Sequence, residues 1–236
     1  MDVPSTVRAA IEDVPVEGAR CLEAGAGAGN MSAALREAGA ADVLAVTNDR
    51  SHATEVRDRF DGGPPSAVRA DLRSTPLADD SVSVVTAHAL FNVVTPADAA
   101  AIAAEFSRVA EPGAWLVVDD YAPIPHDGVR ALFAAENAAA ELADAAPALT
   151  FYPSTHLRRL FEAEGWRFER ERNLLDPVPW TAALLDAHAD LARENAARLD
   201  DPIAAALRGE ATRRRERLGD GVETGRMYGL AFRLER

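Results

Sequence analysis

The stretch LEAGAGAGN, residues 22–30, is the part of the chain on which the fold turns. Glycines stand at 25, 27 and 29, directly after the apolar run ARCLEA and directly before a segment with helical spacing. A loop of this kind adopts turn geometry that side chains obstruct, and its backbone can come close to a bound ligand. The N–H groups that open the following helix favour an anionic or carboxylate group. The spacing therefore predicts a first strand at 20–24, a loop that cradles a nucleotide-like ligand, and a helix over 30–39.

Outward from this loop, short apolar runs alternate with amphipathic stretches. A helix at 4–13 leads in. Strands are expected at 42–47, 66–71, 81–87 and 114–119, with helices at 51–60 and 96–110 and turns at GGPP 62–65 and EPG 111–113. A long alanine-rich helix covers 128–146, and a helix at 154–165 takes Ser154 as its N-cap and Gly165 as its stop. A sixth strand follows at 166–174, then helices at 181–199 and 202–218 and a seventh strand at 226–234. The alternation is that of a parallel sheet with crossover helices. One domain over 1–236, carrying a helical insertion at 175–222, is the simplest organisation.

The glycine spacing discriminates between ligands. A dinucleotide site wants G-x-G-x-x-G; counted from Gly25 its third glycine falls on Asn30, and counted from Gly27 it falls on Ser32. The actual pattern is acid-x-G-x-G-x-G with Glu23 in front, and an anion there opposes a pyrophosphate but suits a cationic ligand. Glu23-x-Gly25-x-Gly27-x-Gly29 resembles motif I of class I S-adenosylmethionine-dependent methyltransferases. Ala70-Asp71-Leu72 with the following STPLADDSVSVV, Glu105 to Ala114 (EFSRVAEPGA) and the helix-then-strand at 154–174 resemble that family's later motifs.

The resemblance implies an α/β fold: a Rossmann-like seven-stranded sheet, helices on both faces, last strand antiparallel. It implies S-adenosyl-L-methionine as cofactor, held by the loop residues Glu23, Ala24, Gly25, Ala26, Gly27 and Gly29. Glu23 would order the loop or meet the methionine ammonium, and Asp71 and Leu72 would meet the adenine. The family usually ends its second strand with an acid on the ribose; here that slot is Thr47, followed by Asn48 and Asp49. Asn48 is placed to bond one hydroxyl, and Asp49 to reach round. Ser83 also departs from the family's usual Asp, at a structural position.

Methyl transfer from a sulfonium rests on alignment in a desolvated site, and a base matters only where the nucleophile must lose a proton. Ligands in open α/β sheets lie beyond the carboxyl ends of the strands. There the catalytic candidates are His88, as base, substrate-orienting group or cofactor contact, and Tyr121, as pocket wall or sheet cover; Asn92, Asp119 and Asp120 stand beside them. The insertion re-enters on the same side, so Asp176 to Trp180 and the helices after it are expected to form a lid. Trp180, Phe151 and Tyr152 then either suit a flat acceptor or pack the insertion down. The reading is an enzyme methylating a small molecule. An NAD(P)-dependent oxidoreductase and a non-catalytic nucleotide-binding regulatory protein are its rivals.

Composition narrows the partners. Across 236 residues, 25 Lys+Arg stand against 38 Asp+Glu, a net charge of −13. Such a surface repels phosphate backbones, so no nucleic-acid partner is expected, and the Arg213, Arg214, Arg215, Arg217 run reads as a solvated helix face. Neither a membrane-spanning run nor a secretory signal is visible, which makes the cytoplasm the expected compartment. The single Cys21 rules out an internal disulfide or a cysteine-based zinc site; no metal is expected. Every basic residue is Arg and none is Lys, which with the acid excess resembles the proteins of extreme halophiles or reflects codon bias.

Overall fold

The computed structural model describes residues 3–60 and 65–235. Seven strands form one sheet: β1 (Arg20–Ala24), β2 (Asp42–Thr47), β3 (Ser66–Arg69), β4 (Val82–His88), β5 (Ala110–Tyr121), β6 (Trp166–Leu175) and β9 (Met227–Leu234). Their order is β3-β2-β1-β4-β5-β9-β6. All neighbours run parallel except at β9, which is antiparallel to β5 and to β6. This is the mixed sheet the sequence predicts, with its last strand reversed.

Period-two alternation divides the core between the two faces. Cys21, Val43, Val84 and Val117 point to one side, under α1 (Ser5–Ile11) and α2 (Asn30–Glu37). Leu22, Leu44, Val85, Leu116 and Val118 point to the other. There they meet α4 (Pro96–Val109) and α6 (Ser154–Ala163) through Phe106, Leu157 and Phe161. The same alternation puts Glu23, His88 and Asp119 on the Cys21 face at the carboxyl ends of their strands, and the register sets His88 directly opposite Asp119.

A third cluster lies at the carboxyl ends of β5 and β6, where Tyr121 and Leu175 meet Met227. Between β6 and β9 the chain forms β7 (Pro179–Thr181), α7 (Ala182–Ala196), α8 (Asp201–Glu216) and β8 (Gly221–Glu223); β7 and β8 pair as a small ribbon. With α5 (Asp127–Asp144) these helices bury Phe133, Trp180, Leu185 and Leu218. Three arginines of the run lie on α8 and are answered by acids: Arg213 and Arg214 bond Glu210 at 2.6 Å, and Arg215 bonds Asp186 at 2.7 Å; Arg217 follows the helix end.

Local expectations shift in four places. EPG 111–113 lies inside β5, where the ladder steps from Val82–Ala110 to Val84–Trp115 and Gly113 takes a φ of 78°, so the turn is absorbed as an irregularity of the strand. Ser154 opens α6 but does not cap it; its hydroxyl donates to Glu171 at 3.0 Å. The β7–β8 ribbon and the 3-10 turn Phe91–Val93 have no periodic signature in the sequence. Most of the GGPP turn, residues 62–64, lies outside the described residues. Among those residues, no helix is long and apolar enough to cross a membrane.

Candidate functional site

The carboxyl ends of β1, β2 and β4 open onto a groove made of two adjoining cavities that share Gly25, Thr47, Asn48, Leu90 and Val93. The larger, about 500 Å³, is walled by Glu23, the loop Gly25 to Ala28, Asn30, Asp49, His52 and His88. The smaller, about 250 Å³, is walled by Asp71, Leu72, Arg73, Asp98 and Ile102. Val93, an apolar side chain left 57% exposed, stands on the rim of both.

The glycine loop has the geometry its sequence demands. Gly25, Gly27 and Gly29 take φ of 74°, 47° and 74°, the left-handed region that penalises other residues. Gly25 and Ala26 donate to the Val46 carbonyl at 2.9 and 3.1 Å, which seats the loop on β2. A Cβ on Gly27 would meet nothing closer than the Gly25 carbonyl at 3.9 Å, so it would project into open space. Gly29 instead faces Phe60 and Val56 of the α3 (Arg50–Arg59) side, and Ala24 is fully buried in β1; neither lines the groove. Arg59 clamps the loop from α3, donating to the Ala28 carbonyl at 2.6 Å and to Asn30 Oδ1 at 2.9 Å. No pattern in the sequence singles this arginine out.

Glu23 is only 2% exposed yet lines the larger cavity, and its carboxylate accepts from the Ser32 hydroxyl on α2. Burial pushes its pKa up to about 7, against the Ser32 bond and the charge of His88. A buried acid with a single hydroxyl partner and an open cavity in front suits a cationic group. These residues fit a sulfonium nucleoside bearing an ammonium.

At the ribose position the structure corrects one expectation. Asp49 does not reach round; its carboxylate caps α3, accepting from the N–H of Ser51 at 2.6 Å and of His52 at 3.0 Å. These bonds hold its pKa down at about 2. Thr47 is buried and its Oγ1 accepts from the Asp49 N–H at 3.2 Å. Asn48 stays exposed on the groove wall, with His52 beside it.

At the far end Asp71 is already paired. Arg73 donates from Nε at 3.0 Å to both carboxylate oxygens and from one terminal nitrogen at 2.6 Å, and its other terminal nitrogen reaches Asp98 at 2.8 Å. Arg73 directly follows the Ala70-Asp71-Leu72 motif, and only the fold brings Asp98 of α4 to it.

The β4 exit holds a dense polar cluster. His88 Nδ1 lies 2.5 Å from Asp119 Oδ1, while Asp119 Oδ2 is buried without a partner. Asp120 accepts from the N–H of Asn92 at 2.9 Å and of Tyr121 at 2.7 Å, and burial raises its pKa to about 7. Desolvation opposes the His88 cation, but the charge and hydrogen bond of Asp119, with Glu23 and Asp120 adding to them, outweigh it and raise the His88 pKa. Ala89, next in the chain, takes a φ of 47°, a strained turn for a residue with a Cβ.

Tyr121 stands apart from the groove, its ring 5.5 Å from that of Trp180. Burial, with Asp120 and Asp119 nearby, raises its pKa. Trp180 is buried against Tyr121 and Phe133 and donates to the Thr224 carbonyl at 3.1 Å, which is the packing alternative. Tyr152 is likewise buried, its hydroxyl on the Val94 carbonyl at 2.9 Å. Phe151 instead borders a separate apolar cavity of about 260 Å³ with Ile124 and Phe133.

Comparison with known proteins agrees with this geometry. Residues 22–118 match the family model of a methyltransferase domain. A candidate methyltransferase of Bacillus halodurans superposes with a TM-score of 0.67 at 15% identity, over 99% of this chain and 100% of that one. An S-adenosylmethionine-dependent methyltransferase from Mesorhizobium loti gives 0.60 at 15% identity, over 96% and 95% of the two chains. Geranyl diphosphate methyltransferase, solved in complex with S-adenosylmethionine, gives 0.62 at 15% identity, over 97% and 84%. No curated protein matches the chain in sequence.

Proposed function

We propose that this chain is a class I methyltransferase that moves a methyl group from S-adenosylmethionine to a small-molecule acceptor, a reading supported by the strand order and by the methyltransferase domain model matched at residues 22–118. One observation carries the reading: Glu23, a buried carboxylate whose one hydrogen-bond partner among the described residues is Ser32, faces a cavity directly before the glycine loop. When bound, the cofactor supplies an electrophilic methyl on a positively charged sulfur.

The chain's own residues supply the rest. Glu23 answers the cofactor's positive charge, and the backbone at Gly25 to Gly27 lies close beneath it. Asn48 and His52 take the ribose end, where the Asp49 carboxylate is engaged by the first N–H groups of α3. Asp71, Leu72 and Arg73 frame the adenine, with Arg73 keeping the Asp71 carboxylate oriented. His88 borders the methionine end, and Tyr121 walls the acceptor side beyond it. The small-molecule reading draws on a net charge of −13 and on α8 arginines that are paired with acids.

Calorimetry with S-adenosylhomocysteine and with NAD on the whole chain tests this. Binding of the first and not the second is expected. Binding of NAD alone would replace the reading with an oxidoreductase.

A further inference from the structure

His88 and Asp119 are register partners on adjacent parallel strands, and both point to the face that carries Glu23. His88 lines the groove with 26% of its side chain exposed, whereas Asp119 lies behind it at 1%. The Nδ1 edge of the ring is taken up by Asp119 Oδ1 at 2.5 Å, so Nε2 is the ring nitrogen Asp119 does not engage, on the member of the pair that lines the cavity. Among the described residues this imidazole is the one cation that acts on Asp119, whose second oxygen is buried without a donor. A carboxylate so placed has no packing reason to be there, since the other buried residues of β5 are apolar up to Val118.

We propose that Asp119 is a positioning residue that fixes the proton of neutral His88 on Nδ1, leaving Nε2 as a proton acceptor at the groove, and that the methyl acceptor is therefore a protic O–H or N–H nucleophile. The inference rests on the methyltransferase reading. The acceptor's O–H or N–H bond breaks and its proton goes to Nε2, the electron pair on the heteroatom forms the new bond to the methyl carbon, and that carbon's bond to sulfur would break with its pair left on the departing neutral thioether. Asp119 then balances the imidazolium until the proton leaves to solvent. The other titratable groups near His88 are Glu23 at the end of β1, Asp120 on β5, and His52, which lines the same cavity from α3. The two acids favour the cation, so the base is strengthened from both neighbouring strands.

Nitrogen-15 NMR of the histidine rings in the full chain, with and without S-adenosylhomocysteine, reads this directly, with His88→Gln assigning the resonance. Neutral His88 is expected to carry its proton on Nδ1, and Asp119→Asn to lower its titration midpoint by about one unit or more, a tenfold change in proton affinity. A wild-type ring protonated on Nε2, or a midpoint unmoved in Asp119→Asn, overturns the proposal. Should the variant fail to fold, the wild-type tautomer decides alone. Failure to bind S-adenosylhomocysteine would instead sink the methyltransferase reading, while the tautomer measured in the free protein still judges the pair. In a methyl-transfer assay on mixed phenols, amines, tertiary amines and thioethers, products among the first two classes support the base, and products confined to the last two exclude it.

Discussion

Glu23 shows how much one side chain in a folded site departs from its behaviour in solution. Its pKa of about 7 in the fold, against 4.5 for a free glutamate, means the native state binds more protons than the unfolded chain between those values. Stability therefore falls as pH rises from about 4.5 to 7, by about 3 kcal/mol in total, because ionising a buried acid is costly. Thermal melts of the free protein should show Glu23→Gln more stable than wild type at pH 8 and no better at pH 4; a constant difference across that range would contradict the assignment. A cationic cofactor reverses the preference, since it binds the ionised form. Affinity for S-adenosylmethionine should climb as pH passes from 5.5 to 8, and Glu23→Gln should flatten the climb while weakening binding about tenfold or more. Gly27 supplies the steric counterpart. A valine there must adopt a φ of 47° and project into the cavity, so Gly27→Val should abolish measurable S-adenosylhomocysteine binding by calorimetry while circular dichroism stays unchanged.

Among the elements, the segment from β7 to β8 contradicts its simplest sequence-based image. A tryptophan after Asp-Pro-Val-Pro on the cofactor-binding side invites the reading of a lid residue. The structure buries Trp180 at 4% exposure between Tyr121, Phe133 and His188, where it holds α5, α7 and the ribbon as one cluster. Trp180→Ala should then cost about 3–5 kcal/mol of stability, seen in urea unfolding, with affinity for S-adenosylhomocysteine unaltered where the variant is folded. Loss of methyl transfer without loss of stability or of S-adenosylhomocysteine affinity would restore the lid reading. The start of α3 carries a comparable lesson. Asp49 was free, on sequence alone, to reach the ribose; at the helix entry it caps two backbone N–H groups, and a carboxylate so engaged is held in place. Asp49→Ala should lower stability by about 1 kcal/mol, the ordinary value of an N-cap.

At the scale of the whole molecule, charge is the dominant feature. A net −13 on 236 residues, with arginine as its only strong base, produces self-repulsion that salt relieves. Many exposed arginines already pair with acids, as Arg198 does with Asp144 and Arg73 with Asp71 and Asp98. Such surface pairs contribute little each and weaken in salt. The unpaired acid excess outweighs them, so the melting temperature should rise between about 0.1 M and about 1 M KCl, over which the screening length shortens from about 10 Å to about 3 Å. A flat response would leave codon bias as the reason for the missing lysines.

The sequence alone determined the alternation of strands and helices and the glycine loop, because these depend on local periodicity and on backbone angles that only particular residues tolerate. The reversed last strand and the stations of Glu23, Asp71 and Leu72 were legible only through the family resemblance of the motifs that carry them. The Asp71–Arg73–Asp98 bridge, the Arg59 clamp on the loop and the His88–Asp119 pair were decided only by the tertiary structure. Each joins residues 25 to 31 positions apart through strand register or helix packing, and no local pattern encodes such distances. Burial is settled at that level too. Whether Trp180 faces a ligand or a core depends on which helices close over it, and that is a property of the packed molecule.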